Sequence, residues 1–328
     1  MNVLVLGGAG YIGSHVAHLL QERGYSVIVY DDFSRGHREA VAGLNWMEGD
    51  IGDEARLYQL MVDEQIEAIF HFAAASIVRE SVEDPQHYFH TNVEKGLRLL
   101  AATKRAKVPF FIFSSTAAVY GDPRELPITE NHRRLPKNPY GISKAFFEDI
   151  LRCYHEAYGI GYVALRYFNA AGADPKGILG EDHEPETHLI PLILRSILEQ
   201  QPLVIYGHDY PTADCTAIRD YIHVSDLAQA HILALEYLIE GGRSQAMNLG
   251  SDRGSSVLDV IKTAEKITGY PVPYEFGPRR PGDPATLVAG SQRAKELLGW
   301  QPLSSDLESI IQTAWNWHRK YPRGYKKK

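Results

Sequence analysis

Tyr140 and Lys144 stand four residues apart in Asn138-Pro139-Tyr140-Gly141-Ile142-Ser143-Lys144. Proline is suited to open a helix, and a helix places the phenol and the ammonium one turn apart on one face. An ammonium stabilises a nearby phenolate and lowers the phenol pKa from its reference of about 10. A tyrosine tuned in this way is a general base near neutral pH. An apolar run ending Phe113-Ser114-Ser115-Thr116 precedes the pair and reads as a strand.

The chain opens with Val3-Leu4-Val5-Leu6-Gly7-Gly8-Ala9-Gly10-Tyr11-Ile12-Gly13, which sets Gly7, Gly10 and Gly13 in a G-x-x-G-x-x-G array between a strand and a helix. Gly7 permits a tight turn, Gly10 lets a pyrophosphate approach the backbone, and Gly13 lets helix and strand pack closely while the helix N-terminus faces the anion. Asp31 ends the next apolar run, Val27-Ile28-Val29-Tyr30, where a carboxylate meets adenosine ribose hydroxyls, and Asp32 is placed to share the task. A carboxylate there repels a 2′-phosphate, so NAD is favoured over NADP. Arg35 and Arg38 pull the other way, because a nearby arginine accommodates that phosphate. A bound nicotinamide cation adds to the effect of Lys144 on Tyr140.

The elements that must position these residues alternate in type. Short apolar runs at 2–6, 26–30, 68–72, 110–114 and 161–166 are separated by helical segments at 11–21, 54–64, 85–107 and 140–158. Runs of that length suit buried parallel strands, and the alternation predicts a doubly wound sheet. After about Gly172 the texture changes to Gly- and Pro-rich loops at 173–191 and 207–217. Helices are predicted there at 189–200, 224–238, 256–268, 292–298 and 307–318, with strands at 203–206 and 273–276. The expected architecture is α/β: a Rossmann-type doubly wound parallel sheet over 1–172 and a smaller α/β substrate-binding domain over 173–328, with some segments free to return to the first.

At about 150 residues per domain, 328 residues suit two domains, and 44% hydrophobic with 23% charged residues is a folded globular composition. Lys plus Arg, 34, less Asp plus Glu, 41, gives −7, so no general positive field draws nucleic acid and an anionic ligand must be held by local groups. The lysines at 326–328 read as a solvated end. No segment reaches the roughly 18 apolar residues of a membrane span, and the N-terminus lacks the basic lead and cleavage pattern of a signal peptide, so a cytoplasmic protein is expected. Cys153 and Cys215 have no metal-ligand spacing and read as two free thiols in a reducing cytosol.

The motifs run nearly end to end. They comprise Gly7-Gly8-Ala9-Gly10-Tyr11-Ile12-Gly13-Ser14-His15, Glu48-Gly49-Asp50-Ile51, His71-Phe72-Ala73-Ala74 and Ser114-Ser115-Thr116-Ala117-Ala118-Val119-Tyr120-Gly121. Leu165-Arg166-Tyr167-Phe168-Asn169, Arg219-Asp220-Tyr221-Ile222-His223-Val224 and Pro278-Arg279-Arg280-Pro281-Gly282-Asp283 follow. Together they resemble the extended short-chain dehydrogenase/reductase superfamily and, within it, the family of UDP-galactose (UDP-glucose) 4-epimerases.

The resemblance implies NAD as cofactor, a UDP-sugar as substrate and a homodimer formed through the helices at 85–107 and 140–158. It implies that Thr116 helps Tyr140 bind the sugar 4-hydroxyl while Lys144 contacts the nicotinamide ribose. Asp50 and Ile51 then flank the adenine. Tyr11, Ile12, Phe72, Ala73, Ala74, Asn92 and Ser114 line the cofactor, with Tyr167 and Phe168 beside the nicotinamide. Asn169 falls at the substrate diphosphate, Arg219 and Arg280 are its cationic contacts, and Asp283 reaches the uridine ribose. His188, Leu189, Val204, Tyr206 and Leu287 complete the substrate side. Residue chemistry agrees, since arginine suits forked phosphate recognition.

Three positions depart from the pattern. Thr116 stands where many relatives have Ser, with the hydroxyl kept, and Ser76 where some bacterial relatives place a Lys near the cofactor. Leu287 stands where some relatives carry a large aromatic that crowds the sugar C2 substituent, which extends the expected range to UDP-N-acetyl sugars. Ala117 and Ala118 follow Thr116 where 4,6-dehydratases carry Asp-Glu, and neither transfers a proton, which argues against dehydration. Epimerases of UDP-xylose or UDP-glucuronate differ mainly in the C5 pocket and stay open. A non-catalytic dinucleotide sensor predicts loss of Tyr140, Lys144 or Thr116, and all three are present. Asp182-His183-Glu184-Pro185-Glu186-Thr187-His188 superficially resembles a metal site. Pro185 disfavours the continuous helix of a His-Glu-x-x-His motif and the spacing is one residue too long, so no metal is expected.

Overall fold

The computed structural model describes residues 1–280 and 283–325; Pro281, Gly282 and the lysines at 326–328 lie outside the described residues. Strands β1 (Asn2–Leu6), β2 (Ser26–Asp31), β3 (Asn45–Glu48), β4 (Ala68–His71), β5 (Phe110–Thr116) and β6 (Gly161–Tyr167) alternate with helices α1 (Tyr11–Glu22), α2 (Glu54–Asp63), α3 (Val78–Glu83), α4 (Pro85–Phe89), α5 (Lys95–Ala106) and α6 (Pro139–Tyr158). Then come β7 (Asn169–Ala171), α7 (Leu189–Glu199), β8 (Leu203–Tyr206), β9 (Ile218–His223), α8 (Val224–Ile239) and β10 (Gln245–Leu249). The chain continues through β11 (Gly254–Ser256), α9 (Val257–Thr268), β12 (Tyr274–Gly277), β13 (Thr286–Leu287), α10 (Gln292–Leu298) and α11 (Leu307–Lys320).

One parallel sheet runs β10-β6-β5-β4-β1-β2-β3. Its central strands are apolar throughout because helices cover both faces. Val3 and Val5 turn to the face packed with Val16, Leu20, Leu227 and Leu235 of α1 and α8, whereas Leu4 and Leu6 turn to Leu57, Leu99, Phe147 and Leu151 of α2, α5 and α6. Strand order reverses between β1 and β4, which opens a crevice beyond their carboxyl ends. A second lobe packs α7, α9 and α11 around Ile193, Leu194, Val260, Ile310 and Ile311, beside the short sheet β11-β9-β13, with β7 on β9, and the pair β12-β8.

Six strands escape sequence reading, among them β11 and β13 with three and two residues. β3 is exposed along its length, and β7 has three residues. β9 carries Arg219 and Asp220, and β10, Gln-Ala-Met-Asn-Leu, has no β-branched residue. β10 nevertheless completes the main sheet by pairing with β6 from Gln245 to Leu249, and α8 packs on α1, so 224–249 belongs with the first lobe. The segment at 85–107 is not one uniform helix, because a wide π turn at His90–Glu94 joins α4 to α5.

Candidate active site

Gly7 adopts φ +74°, and a Cβ there would lie 2.4 Å from the Ala73 nitrogen; at Gly13 it would lie 2.3 Å from the Gly7 oxygen. Both glycines are demanded by protein packing. At Gly10 a Cβ would meet only the Gly7 oxygen, at 3.5 Å, so the protein leaves room over this residue that a closely approaching pyrophosphate fits. Gly10 also caps α1 without a side chain, and no acidic residue occupies the first turn, so the leading amides of the helix face that room.

The buried Asp31 carboxylate accepts hydrogen bonds from the amides of Ala9 (2.9 Å) and Phe33 (2.8 Å), tying the glycine loop to the end of β2, and burial pushes its pKa up. Asp32 instead accepts from the amide and hydroxyl of Ser34, at 2.9 and 2.6 Å. Arg35 pairs with Glu80 at 3.2 Å and Arg38 with Glu48 at 2.6 Å, so both arginines already have carboxylate partners. Asp50 pairs with Lys95 at 2.5 Å and Ile51 is buried beside it.

Asn138 caps α6 by accepting the Gly141 amide at 2.8 Å, with Pro139 opening the helix. Tyr140 and Lys144 consequently share a face, the Lys144 nitrogen lying 6.0 Å from the centre of the phenol ring and 4.9 Å from that of Phe113. Lys144 is buried and donates to the Ser114 carbonyl at 2.9 Å. Burial pushes the Tyr140 pKa up, against a hydrogen bond with Thr116, and pulls Lys144 down to about 7, against the charge of Glu148 one turn on. A phenol lowered by its lysine is therefore not what the protein's own groups set. Desolvation is the largest cause acting on both groups.

Ser114 bonds the Tyr167 hydroxyl, and Phe168 packs near Val119, Tyr120 and Ile128. Phe72, Ala73 and Ala74 follow β4, with Phe72 stacked 4.9 Å from His231. Asn92, within the π turn, accepts the Ala75 amide (2.8 Å) and donates to the Ala75 carbonyl (2.9 Å) and the Ser143 hydroxyl (3.0 Å), so it fixes the loop after β4. Tyr11 donates to the Gly172 carbonyl at 2.7 Å, and Ile12 packs on the core.

Sequence reasoning missed the charged network behind this face. Glu148 accepts from Ser115 (2.5 Å), Arg134 (3.1 Å) and both Nε and a terminal nitrogen of Arg166 (2.9 and 2.5 Å), and Arg166 reaches Tyr120 at 2.8 Å. The signals were an arginine inside the apolar run of β6 and a glutamate four residues after Lys144.

Among the residues expected on the substrate side, Asn169 donates to the Asp220 carbonyl at 2.9 Å. Arg219 and Asp283 pair with each other at 2.5 Å, and the second Asp283 oxygen accepts from Tyr210 at 3.0 Å. Arg280 stacks 4.2 Å over Tyr206, whose strand also carries Val204, and a cleft of about 690 Å³ is lined by Arg279, Arg280, Asp283 and the whole of 122–126. Leu287 pairs in register with Arg219 and, like Phe168, packs against the cluster of Val119, Tyr120 and Ile128. His188 precedes α7, which Leu189 opens. The segment from Glu181 to His188 is not helical, as Pro185 implied, yet it folds the donor atoms of Glu181, His183, Glu186 and His188 to within 4.8 Å of one another. A loop makes this cluster by a route that helix spacing does not register. Cys153 and Cys215 are free and exposed.

A glycine-rich first turn at the switch point of a parallel sheet, with buried Thr116 and Lys144 and half-buried Tyr140 across the crevice, defines a dinucleotide-binding α/β enzyme of the tyrosine-lysine type. The NAD dependent epimerase/dehydratase family matches residues 3–250, and the chain belongs to it. It is 50% identical over 327 residues to the UDP-glucose 4-epimerase of Lacticaseibacillus casei, covering 99% of each. The crystal structure of UDP-glucose 4-epimerase from Brucella ovis in complex with NAD superposes with a TM-score of 0.94 at 49% identity, over 96% of this chain and 97% of that one. The Bifidobacterium longum UDP-glucose 4-epimerase in complex with NAD+ and UDP gives 0.94 at 38% identity, over 99% and 100%.

Proposed function

We propose that this chain interconverts UDP-galactose and UDP-glucose by inverting C4 with bound NAD. The carrying observation is the convergence of Thr116, Tyr140 and Lys144 on the crevice walled by the glycine loop, in a chain with full-length likeness to enzymes of this name. NAD, held over Gly7, Gly10 and Gly13 with Asp31 on its ribose side, accepts a hydride from C4 and returns it to the opposite face. Tyr140 takes the proton of the 4-hydroxyl and gives it back once the 4-keto sugar has turned about its diphosphate linkage, while Thr116 holds the oxygen. Lys144 lies against the nicotinamide ribose and lends its charge to the phenolate. Because burial holds Tyr140 up and Lys144 near 7, Tyr140 surrenders its proton against an added positive charge, which an oxidised nicotinamide carries.

Asp50 and Ile51 flank the adenine, and Tyr11, Ile12, the residues from Phe72 to Ala74, Ser114, Tyr167 and Phe168 line the cofactor. Asn92 acts through the loop it fixes. Arg219, Arg280 and Asn169 hold the substrate diphosphate, with Asp283 at the uridine ribose and His188, Leu189, Val204, Tyr206 and Leu287 around the rest. In this reading the first lobe holds NAD, the second holds most of the UDP-sugar, and Leu287 admits an N-acetyl group at C2. A homodimer is supported by apolar side chains left exposed on the helices at 85–107 and 139–158, Phe89, Leu97, Ile142 and Phe146 among them. A cytoplasmic site is supported by the absence, among the described residues, of any helix long and apolar enough to cross a membrane.

The test is to incubate the purified protein with UDP-galactose, first without and then with added NAD, and follow UDP-glucose. Conversion is expected; its absence even with NAD supplied refutes the reading.

A further inference from the structure

We infer that Glu181, His183, Glu186 and His188 form a binding site for one first-row divalent cation, with zinc the best match, that pins the loop leading into α7. Their donor atoms lie within 4.8 Å of one another. The Nδ1 atoms of His183 and His188 both turn to the same Glu181 oxygen, His183 at 3.3 Å and His188 closer, so two imidazoles and a carboxylate converge on one point. The Glu186 carboxylate approaches as well, its Oε1 lying 3.7 Å from His183 Nδ1.

The side chains of Glu181 and Glu186 are only 3% and 1% exposed. Glu186 Oε1 accepts the amides of Thr187 (2.8 Å) and His188 (2.9 Å), which aims the carboxylate, whereas its buried Oε2 has no protein partner. A buried carboxylate oxygen without a partner is costly, and a cation supplies one. The neighbouring Asp182 is turned away, accepting the Tyr325 amide at 2.8 Å and lying 3.5 Å from His37 and 3.7 Å from Arg195, so it is not a fifth ligand.

Two imidazoles and two carboxylates form a nitrogen and oxygen set that suits zinc, and the absence of thiolate from it argues against copper(I) and iron-sulfur chemistry. Bonds of about 2.1 Å in a tetrahedron hold donors about 3.4 Å apart, so the widest pair must close by up to about 1.4 Å. His183 stands edge-on to Tyr11, ring centres 6.2 Å apart, and Tyr11 follows Gly10 in the glycine loop. His188 and Leu189 lead into α7. The cation thus fastens the second lobe's loop against the first lobe's cofactor turn, as a structural ion beside the chemistry.

Tag-free enzyme, stripped with chelator and dialysed, is titrated with Co²⁺ and with Zn²⁺. One tightly held equivalent per chain is expected, with a visible Co²⁺ d–d band of tetrahedral intensity that Zn²⁺ abolishes, and a first shell of nitrogen and oxygen only by zinc X-ray absorption. His183→Ala and, more gently, Glu186→Gln should each weaken binding at least tenfold while far-ultraviolet circular dichroism stays native. Failure of the wild-type enzyme to retain either ion at micromolar concentration overturns the site in favour of a plain ion-pair cluster. Retention undiminished in Glu186→Gln and His183→Ala overturns it as well. These readouts do not depend on turnover, so they stand apart from the epimerase reading.

Discussion

The two walls of the crevice are built from different materials. On the proposed NAD side the work falls to backbone: Gly7 and Gly13 fit only without a Cβ, the α1 amides face outward, and Asp31 also ties the turn together. On the proposed sugar side it falls to side chains on short strands and loops. Some already hold each other, as Arg219 holds Asp283, and others stand open, as Arg280 does over Tyr206. A backbone site is fixed once the sheet forms, whereas a side-chain site is retuned by single substitutions, so cofactor choice should be rigid and sugar choice plastic.

The sharpest probe sits at the seam. Tyr140→Phe should lower kcat by about 10² to 10⁴, the contribution of a positioned proton carrier, with NAD content of the purified protein unchanged. On the sugar wall, Arg280→Ala should raise KM for UDP-galactose about 10- to 100-fold, as expected for loss of a charge-assisted hydrogen bond of about 1.5–3 kcal/mol, and leave kcat within a few-fold. If kcat falls instead, Arg280 is not a simple diphosphate contact.

On the NAD wall, Gly10→Ala should weaken NAD at least tenfold by calorimetry while the NAD-free protein stays within about 0.5 kcal/mol of wild type in urea. Equal NAD affinity would break the claim that the room over Gly10 belongs to the ligand.

A smaller effect concerns Lys144. Its folded pKa of about 7 lies below the ordinary value of 10.5, so between those limits the unfolded chain binds the extra proton and stability rises with pH. The slope contributed is at most about 1.4 kcal/mol per pH unit. Lys144→Met should remove it from urea melts of NAD-free protein between pH 7 and 9.5. Smallest is Leu287→Tyr, which should lower turnover of UDP-N-acetylgalactosamine relative to UDP-galactose several-fold. An unchanged ratio removes Leu287 from the C2 pocket.

The same contrast explains what could be read in advance. Strands with long apolar stretches and helices with a proline start, such as β1, β5 and α6, carry their own pattern, and so does a glycine turn whose geometry is local. β10 does not, because pairing with β6 and the hydrogen bond of its buried Asn248 to the Ile128 carbonyl, not an apolar pattern, make it a strand. Asp32 and Asn92 were read as ligand contacts from position alone, and the structure gives each of them a protein partner as well. Nor was the gathering of Glu181 to His188 legible, since helix spacing tests only one of the ways a chain can bring four side chains together.

β10 also has a consequence for how the molecule is made. The strand that closes the main sheet lies far downstream of the strand it covers, so during synthesis the β6 edge, with its buried Val163 and Leu165, emerges long before β10. Until the chain has been read as far as Leu249, that edge is an open template for another nascent chain. The return of β10 therefore does more than finish a sheet: it sets the length of the vulnerable interval between the ribosome and the folded enzyme, and any fragment ending near Gly172 stays in that interval for good.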